Sequence, residues 1–331
     1  MRTRLAGSLG RQLRSYLILP LLLVMCVATW LVNPRFATVG NFSNIAVQAA
    51  PVAVGACGMT FVMIAGGFDL SVGSIAAMAG MVAASLVRLA YREADPWSEA
   101  AATATALGAG LLVGSGLGWV NGVLITRMRI NPFVTTLGTM LMVRSLVEIY
   151  SRGGRPISLP NEAALGSLAW GQTVGVPHPI WLSAAAVLIA AAALRWTRFG
   201  YYCFALGGNE RTAWLSGIGT HAVKTTTYVL AGATAGLAGL AILSRAMQAQ
   251  ATAAKGYELD VIAAVIVGGT PLGGGTGSMF GTCVGVLTLA VINNLLVFLK
   301  VDPSWQDMVK GAIIVSAVGI DALSRARRGG T

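Results

Sequence analysis

Long runs of apolar residues, separated by short polar segments, recur along almost the whole chain. A helix that crosses a bilayer core of about 30 Å needs about 17–25 such residues, and most of the runs approach this length. The ten candidate spans cover residues 16–32, 45–65, 73–90, 101–126, 132–150, 179–196, 222–246, 259–270, 278–299 and 305–322. The pattern therefore predicts an all-α integral membrane protein with about ten transmembrane helices.

Glycine interrupts two of the apolar stretches. The first break begins at Gly66-Gly67-Phe68-Asp69, and the second covers residues 268–275. Both begin with the pattern Gly-Gly-x-x-Leu, and threading the chain through the membrane places both on the same side. Irregular backbone is tolerated at membrane depth only beside protein or water. We therefore predict helices that are broken at these glycines and border the inner half of a pathway.

Glycine also recurs at every fourth position in two places. One series is Gly110, Gly114, Gly118 and Gly122, and the other is Gly273, Gly277, Gly281 and Gly285. This spacing is typical of helices that pack closely, backbone against backbone. Close packing is the simpler interpretation, and the functional alternative is a pair of faces that slide or rock during transport.

Composition and charge narrow the class of protein. Apolar residues make up 55% of the 331 residues and charged residues 11%, whereas soluble domains carry about 25% charged residues. The mean hydropathy of +0.72 agrees, and together these values exclude an ordinary cytosolic enzyme, a disordered chain and a disulfide scaffold. The net charge of +11 arises from basic residues between the spans, so we interpret it as a topology signal and not as a nucleic-acid site.

The distribution of basic residues predicts the orientation. With the N-terminus in the cytoplasm, thirteen Lys and Arg residues fall on the inner side and eight on the outer side, so both termini are predicted to be cytoplasmic. Residues 16–322 form one transmembrane domain between a basic segment, 1–15, and a basic tail, 323–331. Cys203 lies in the predicted inner loop 197–221 and is expected to react with thiol reagents from the cytoplasmic side alone.

The inner loop 197–221 has the features of a docking element. Asn209 is placed to cap a short helix over 210–216, and Gly217 is placed to end it. A short helix between two spans on the cytoplasmic face is more often a docking element than a linker.

The chain lacks the common motifs of catalysis and of nucleotide binding. No glycine is followed directly by lysine, so the Walker A sequence does not occur. We predict no catalytic residue, no metal site and no cofactor bound by this chain. Arg144 and Glu148 stand four residues apart in one span and are predicted to pair.

Uncharged polar residues within the spans, together with Asp69, suggest a weakly polar route for a neutral hydroxylated solute. The candidate path residues are Asp69, Ser71, Asn121, Thr135, Thr136, Asn293 and Asn294. The usual role of such residues is to hydrogen-bond a neighbouring helix. Asp69 has two possible roles, because it is placed either to cap the helix that begins near Ser71 or to offer acceptors to the solute.

Five segments in order resemble the permease subunits of bacterial ABC importers of the ribose, xylose, arabinose and galactoside group, and they are most similar to the ribose type. They are residues 66–74; 131–139; 205–210 with 215–218; 256–260 with 263–265; and 268–270 with 273–274. The first reads Gly-Gly-Phe-Asp-Leu-Ser-Val-Gly-Ser. The chain departs from the usual pattern at Phe68, Trp214, Lys255 and Pro271.

The resemblance implies a ten-helix permease that imports a neutral monosaccharide, such as a ribose-like aldopentose. Its implied partners are a cytoplasmic ATPase that binds the ATP and Mg²⁺, a periplasmic sugar-binding protein, a second permease chain (identical or related) and membrane lipid. Loop 197–221 would then couple to the ATPase. The predicted coupling residues are Gly208, Asn209, Glu210, Arg211, Ser216 and Gly217.

Two other classes remain open at this stage. The alternative function is an ion-coupled secondary carrier of a small polar solute, and a membrane enzyme is a weaker candidate. A carrier usually needs a chain of charged groups through its centre, and this sequence shows none.

Overall fold

The computed structural model describes residues 20, 22–91, 99–161 and 163–302, and ten further residues between 305 and 319. The predicted basic segments 1–15 and 323–331 lie outside these residues, as does part of the last predicted span.

The described chain is built almost entirely from helices. They are α1 (Leu22–Val32), α2 (Val39–Ile64), α3 (Val72–Ala90), α4 (Glu99–Thr126), α5 (Pro132–Tyr150), α6 (Ser167–Trp170), α7 (His178–Trp196), α8 (Arg198–Gly208), α9 (Glu210–Leu215), α10 (Thr220–Ala246), α11 (Tyr257–Val267) and α12 (Met279–Phe298). Two antiparallel pairs of two-residue strands complete the fold. They pair β1 (Ile157–Ser158) with β4 (Gln248–Ala249), and β2 (Gln172–Thr173) with β3 (Val176–Pro177).

Within the described residues, seven helices are long and apolar enough to cross a membrane, namely α2, α3, α4, α5, α7, α10 and α12. Their bounds agree closely with the predicted runs, except that α2 begins six residues earlier, at Val39, where the Thr38 side chain accepts from the Asn41 N–H. The predicted count of about ten is not confirmed. The helix in the eighth run, α11, has only 11 residues, and α1 covers 22–32 of the first run.

The central contact of the bundle joins α4 to α10 through glycine. A side chain at Gly114 would overlap the carbonyl oxygen of Gly232, and one at Gly118 would overlap that of Tyr228. A side chain at Gly122 would overlap the backbone of Thr225. The first glycine series thus serves close packing, as its spacing predicted.

The second glycine series does not form one helix face. Gly273 and Gly277 precede α12, which begins at Met279. Ser278 caps this helix, because its side-chain oxygen accepts from the Gly281 N–H at 3.0 Å. Positive φ angles at Gly274 and Gly275 are incompatible with a continuous helix. Only Gly281 and Gly285 lie in α12, where they pack against the carbonyls of Gly268 and Ala264.

The two ends of the bundle differ in character. At one end, here called the α9 end, α7 leads through α8 and α9 into α10. At the opposite end, the loop after α5 pairs through β1 with β4, which follows α10.

Candidate functional site

A buried polar network surrounds the first glycine break. Asp69 Oδ1 accepts from the Ser71 amide at 2.8 Å and from the Ser71 hydroxyl at 2.5 Å. Asn121 Nδ2 donates to Ser71 Oγ at 2.8 Å, and the Thr139 hydroxyl donates to Asn121 Oδ1 at 2.6 Å. The network thus ties the break to α3, α4 and α5. Three predicted path residues lie together here, and Thr139 joins them.

This network is closed to solvent. Asp69, Ser71 and Asn121 are fully buried, and Asp69 Oδ2 has no hydrogen-bond partner among the described residues. Asp69 orders the turn before α3 by binding the Ser71 N–H, while the Ser71 side chain itself makes no capping bond. In this conformation Asp69 therefore shapes the backbone of the turn before α3.

The other predicted path residues lie apart from the network. Thr135 and Thr136 donate to the carbonyls of Asn131 and Pro132, one turn earlier in the chain, which is how a hydroxyl is commonly satisfied in an apolar helix. Asn294 exchanges two 3.1 Å hydrogen bonds with Asn41, joining the end of α12 to the beginning of α2. Asn293 is half-buried on α12. The structure does not unite all seven residues in one lining.

Arg144 binds backbone and does not pair with Glu148. Its Nη1 donates to the carbonyls of Ala251 and Ala253 at 3.0 and 2.7 Å, and its Nη2 to that of Ala254 at 3.4 Å. The predicted pair with Glu148 is wrong, since the described ion pairs include none between them. The guanidinium offers five donors, so it can satisfy three carbonyls of the turn between β4 and α11 at once.

The short helix predicted within loop 197–221 is confirmed as α9. Asn209 Oδ1 accepts from the Thr212 N–H at 2.9 Å, and Gly217, with φ of 81°, follows its end. Glu210 forms an ion pair with Lys224 of α10 at 2.8 Å. Ser216 and Gly208 are exposed, and the Ser216 hydroxyl donates to the Thr212 carbonyl.

The exposed surface of α9 is amphipathic. Trp214 and Leu215 are 62% and 69% exposed, and Arg211 is exposed beside them. Ala213 is the buried anchor. Trp214 and Leu215 thus form an exposed apolar patch on α9, a feature found in docking surfaces.

Sequence reasoning missed α8, which connects α9 to both glycine breaks. A Cβ on Gly207 would overlap the Ile64 carbonyl oxygen and the Gly275 amide. These two groups also bond each other, because the Gly275 N–H donates to the Ile64 oxygen at 2.8 Å. The ends of α2 and of α8 and the second break thus meet at one backbone contact, here called the Gly207 junction. In the sequence, the only sign of this junction was that residue 207 is a glycine and has no side chain.

The predicted reactivity of Cys203 is wrong. Cys203 is fully buried in α8 and packs in a cluster with Phe61 and Leu194. Burial raises the pKa of its thiol to about 12, so neither exposure nor ionisation favours reaction from either side.

The fold defines a class: a helical membrane protein with several helices long enough to cross the membrane and a short exposed helix, α9, at one end. Residues 41–318 match the family described as branched-chain amino acid transport system / permease component. The chain belongs to this family.

Relatives cover nearly the whole chain. It is 40% identical over 308 residues to the ribose import permease protein RbsC of Escherichia coli K12, covering 92% of each chain. It is 38% identical over 300 residues to RbsC of Bacillus subtilis 168, covering 91% of this chain and 90% of the relative. It is 36% identical over 316 residues to the L-arabinose transport system permease protein AraH of E. coli K12, covering 95% and 92%. No solved structure matches it.

Proposed function

We propose that this chain is the membrane-spanning permease subunit of an ABC importer for a neutral monosaccharide, a ribose-like aldopentose or a similar sugar. Hydrolysis of ATP on a separate cytoplasmic ATPase drives the transport, and a periplasmic sugar-binding protein delivers the sugar. A second permease chain, identical or related, completes the pore in the inner membrane. The α9 end and both termini face the cytoplasm.

The observation that carries this proposal is the α8–α9 unit. A docking helix would have to be rigid to transmit force, and α9 is held by the Asn209 cap and by the Glu210–Lys224 ion pair. Its exposed residues Trp214 and Leu215 offer an apolar contact to a partner. The Gly207 junction links the same unit to both breaks between helices. A displacement of α9 by a bound partner would therefore be transmitted to the backbone at these breaks. The names of the relatives support the sugar.

Reconstitution tests this function against the alternative. Proteoliposomes containing the chain, its ATPase and its sugar-binding protein are expected to accumulate ribose or a related sugar only when ATP is supplied. Uptake by the purified chain alone, driven by a proton or sodium gradient, would instead establish the ion-coupled carrier.

Reversal of charge on α9 is expected to uncouple the permease. We expect Arg211→Glu to lower stimulation of ATP hydrolysis by the sugar-loaded binding protein by about tenfold, because a repulsive charge enters the docking surface. Arg198→Glu, at the first residue of α8, is the matched control and should retain stimulation. Both variants should insert normally, since both side chains are exposed. Full stimulation of Arg211→Glu would remove this residue from the interface.

The orientation is tested with cysteines placed on exposed serines. In a background with all four native cysteines replaced, Ser216→Cys near α9 should react with an impermeant thiol reagent in inside-out vesicles alone. Ser158→Cys in β1, at the opposite end, should react in intact cells. Both serines are exposed, so access depends on the side of the membrane. Labelling of Ser216→Cys in intact cells would invert the proposed topology.

A further inference from the structure

A cavity opens at the end of the bundle opposite α9. It has a volume of about 570 Å³ and is lined on one side by Glu148, Gly153 and Gly154, after and within the last turn of α5, and on the other by Gln250 and Thr252. This volume lies within the range of about 300–1,000 Å³ found for small-molecule sites.

The side chains of Glu148, Gln250 and Thr252 line the cavity and make no hydrogen bond or ion pair to any residue that the structure describes. Arg144 attracts Glu148 electrostatically without bonding to it. Glu148 and Thr252 are exposed, and Gln250 is half-buried. Together they supply carboxylate and amide acceptors, amide donors and a hydroxyl that does both. These groups are therefore available to bind a small molecule that enters the cavity.

The two walls of the cavity are held in place by hydrogen bonds. Arg144 holds the carbonyls of Ala251, Ala253 and Ala254, so the backbone that carries Gln250 and Thr252 is anchored to α5. The pairing of Ile157 with Ala249 joins the two walls. Preorganised groups bind with a smaller loss of conformational entropy.

The backbone next to both walls is also strained. Arg152, Met247 and Ala254 adopt left-handed φ angles of 53°, 52° and 54°, which are uncommon for residues other than glycine. Such conformations persist where the surrounding structure enforces them, and they cluster at ligand-binding sites.

The chemistry of the lining selects the type of ligand. The polar side chains of the lining are one carboxylate, one amide and one hydroxyl, and the exposed Arg152 and Arg155 stand beside its glycines. Neither sign of charge therefore dominates the site, and one carboxylate is too few for a cation that prefers several. Mixed donors and acceptors match the hydroxyl groups of a sugar. We propose that this cavity is an entry site for a neutral polyhydroxylated solute, contacted by Glu148, Gln250 and Thr252. The proposal rests on the sugar-import function and assigns its receiving site.

Protection from labelling tests binding directly, without transport. In the cysteine-replaced chain, solubilised whole in detergent, Thr252→Cys should react with a small thiol reagent about threefold more slowly in saturating ribose or arabinose. Acetate and choline should not protect it. Ser158→Cys, exposed at the same end but outside the cavity, is the control and should react at one rate throughout. An unchanged rate for Thr252→Cys in both sugars would overturn the proposal, as would equal protection by acetate or choline.

Transport variants test the same site in the assembled importer. Thr252→Val keeps the volume and removes the hydroxyl, and Gln250→Leu removes the amide; each should lower uptake at limiting sugar by about fivefold, the effect of one hydrogen bond. Thr252→Trp should block uptake by filling the cavity. Gln172→Leu in β2, exposed outside the cavity, should transport as the wild type does.

These outcomes separate the entry site from the function itself. If wild-type uptake depends on ATP and the three cavity variants match it, the entry site is wrong while the importer function stands. If wild-type uptake needs no ATPase, the function is wrong, and the labelling experiment still decides whether the cavity binds sugar.

Discussion

Replacement of Gly207 by alanine is expected to abolish transport, whereas the same replacement at Gly208 is expected to leave it intact. A Cβ at Gly207 would overlap the Ile64 oxygen and the Gly275 amide, but one at Gly208 would meet no atom within 4 Å. Both residues lie in the last turn of α8, so helix propensity affects them alike. The overlap is with backbone on both sides, which cannot rotate away as a side chain would.

The expected loss at Gly207 is about 1–3 kcal/mol of folding free energy, the usual cost of overpacking. Thermal unfolding of the purified variants and ATP-dependent uptake in proteoliposomes measure the two effects. A Gly207→Ala protein with wild-type unfolding temperature and wild-type uptake would show that the junction is neither tight nor required.

Asp69→Ala is expected to destabilise the permease, while Asp69→Asn is expected to preserve it. Alanine leaves the buried Ser71 N–H without its acceptor, at a cost of about 1–3 kcal/mol. Asparagine keeps an oxygen for Ser71 and replaces the unpartnered Oδ2 with an amide. We therefore expect Asp69→Asn to reach the membrane in wild-type amounts, unfold at the wild-type temperature and transport normally.

Transport distinguishes the two roles that the sequence left open for Asp69. A stable Asp69→Asn protein that fails to transport would show that the charge itself serves the solute, against the structural role favoured by the geometry. Thr139→Val is a useful companion variant, because it removes only the outermost donor of the same network.

The long helices were predictable because each depends on a local property, the apolar run. The α9 cap was predictable for the same reason, since Asn209 and the Thr212 N–H that it binds are three residues apart. The bounds of α5, Pro132–Tyr150, match the predicted run. Local signals thus give the long helices and α9, but they gave neither the number of spans nor α8.

The contacts that build the sites were not predictable, because their partners are distant in sequence. Asn121 and Ser71 are 50 residues apart, and Arg144 binds carbonyls more than 100 residues away. The spacing within one helix therefore led to the wrong prediction that Arg144 pairs with Glu148. In the folded chain the guanidinium instead binds three backbone carbonyls from a distant turn. The prediction that the second glycine series forms one close-packed face was wrong for a similar reason. Periodicity alone cannot show that a new helix begins after Ser278.

The glycine contacts between α4 and α10 restrict the degrees of freedom of the whole molecule. At Gly114 and Gly118, a carbonyl oxygen of α10 occupies the space of a missing side chain. Sliding α4 along α10 would move those oxygens out of the gaps left by Gly114 and Gly118 and against the neighbouring turns of α4. We therefore expect the two helices to move together. A change of shape during transport would then fall on the segments between helices, residues 65–71 and 268–278.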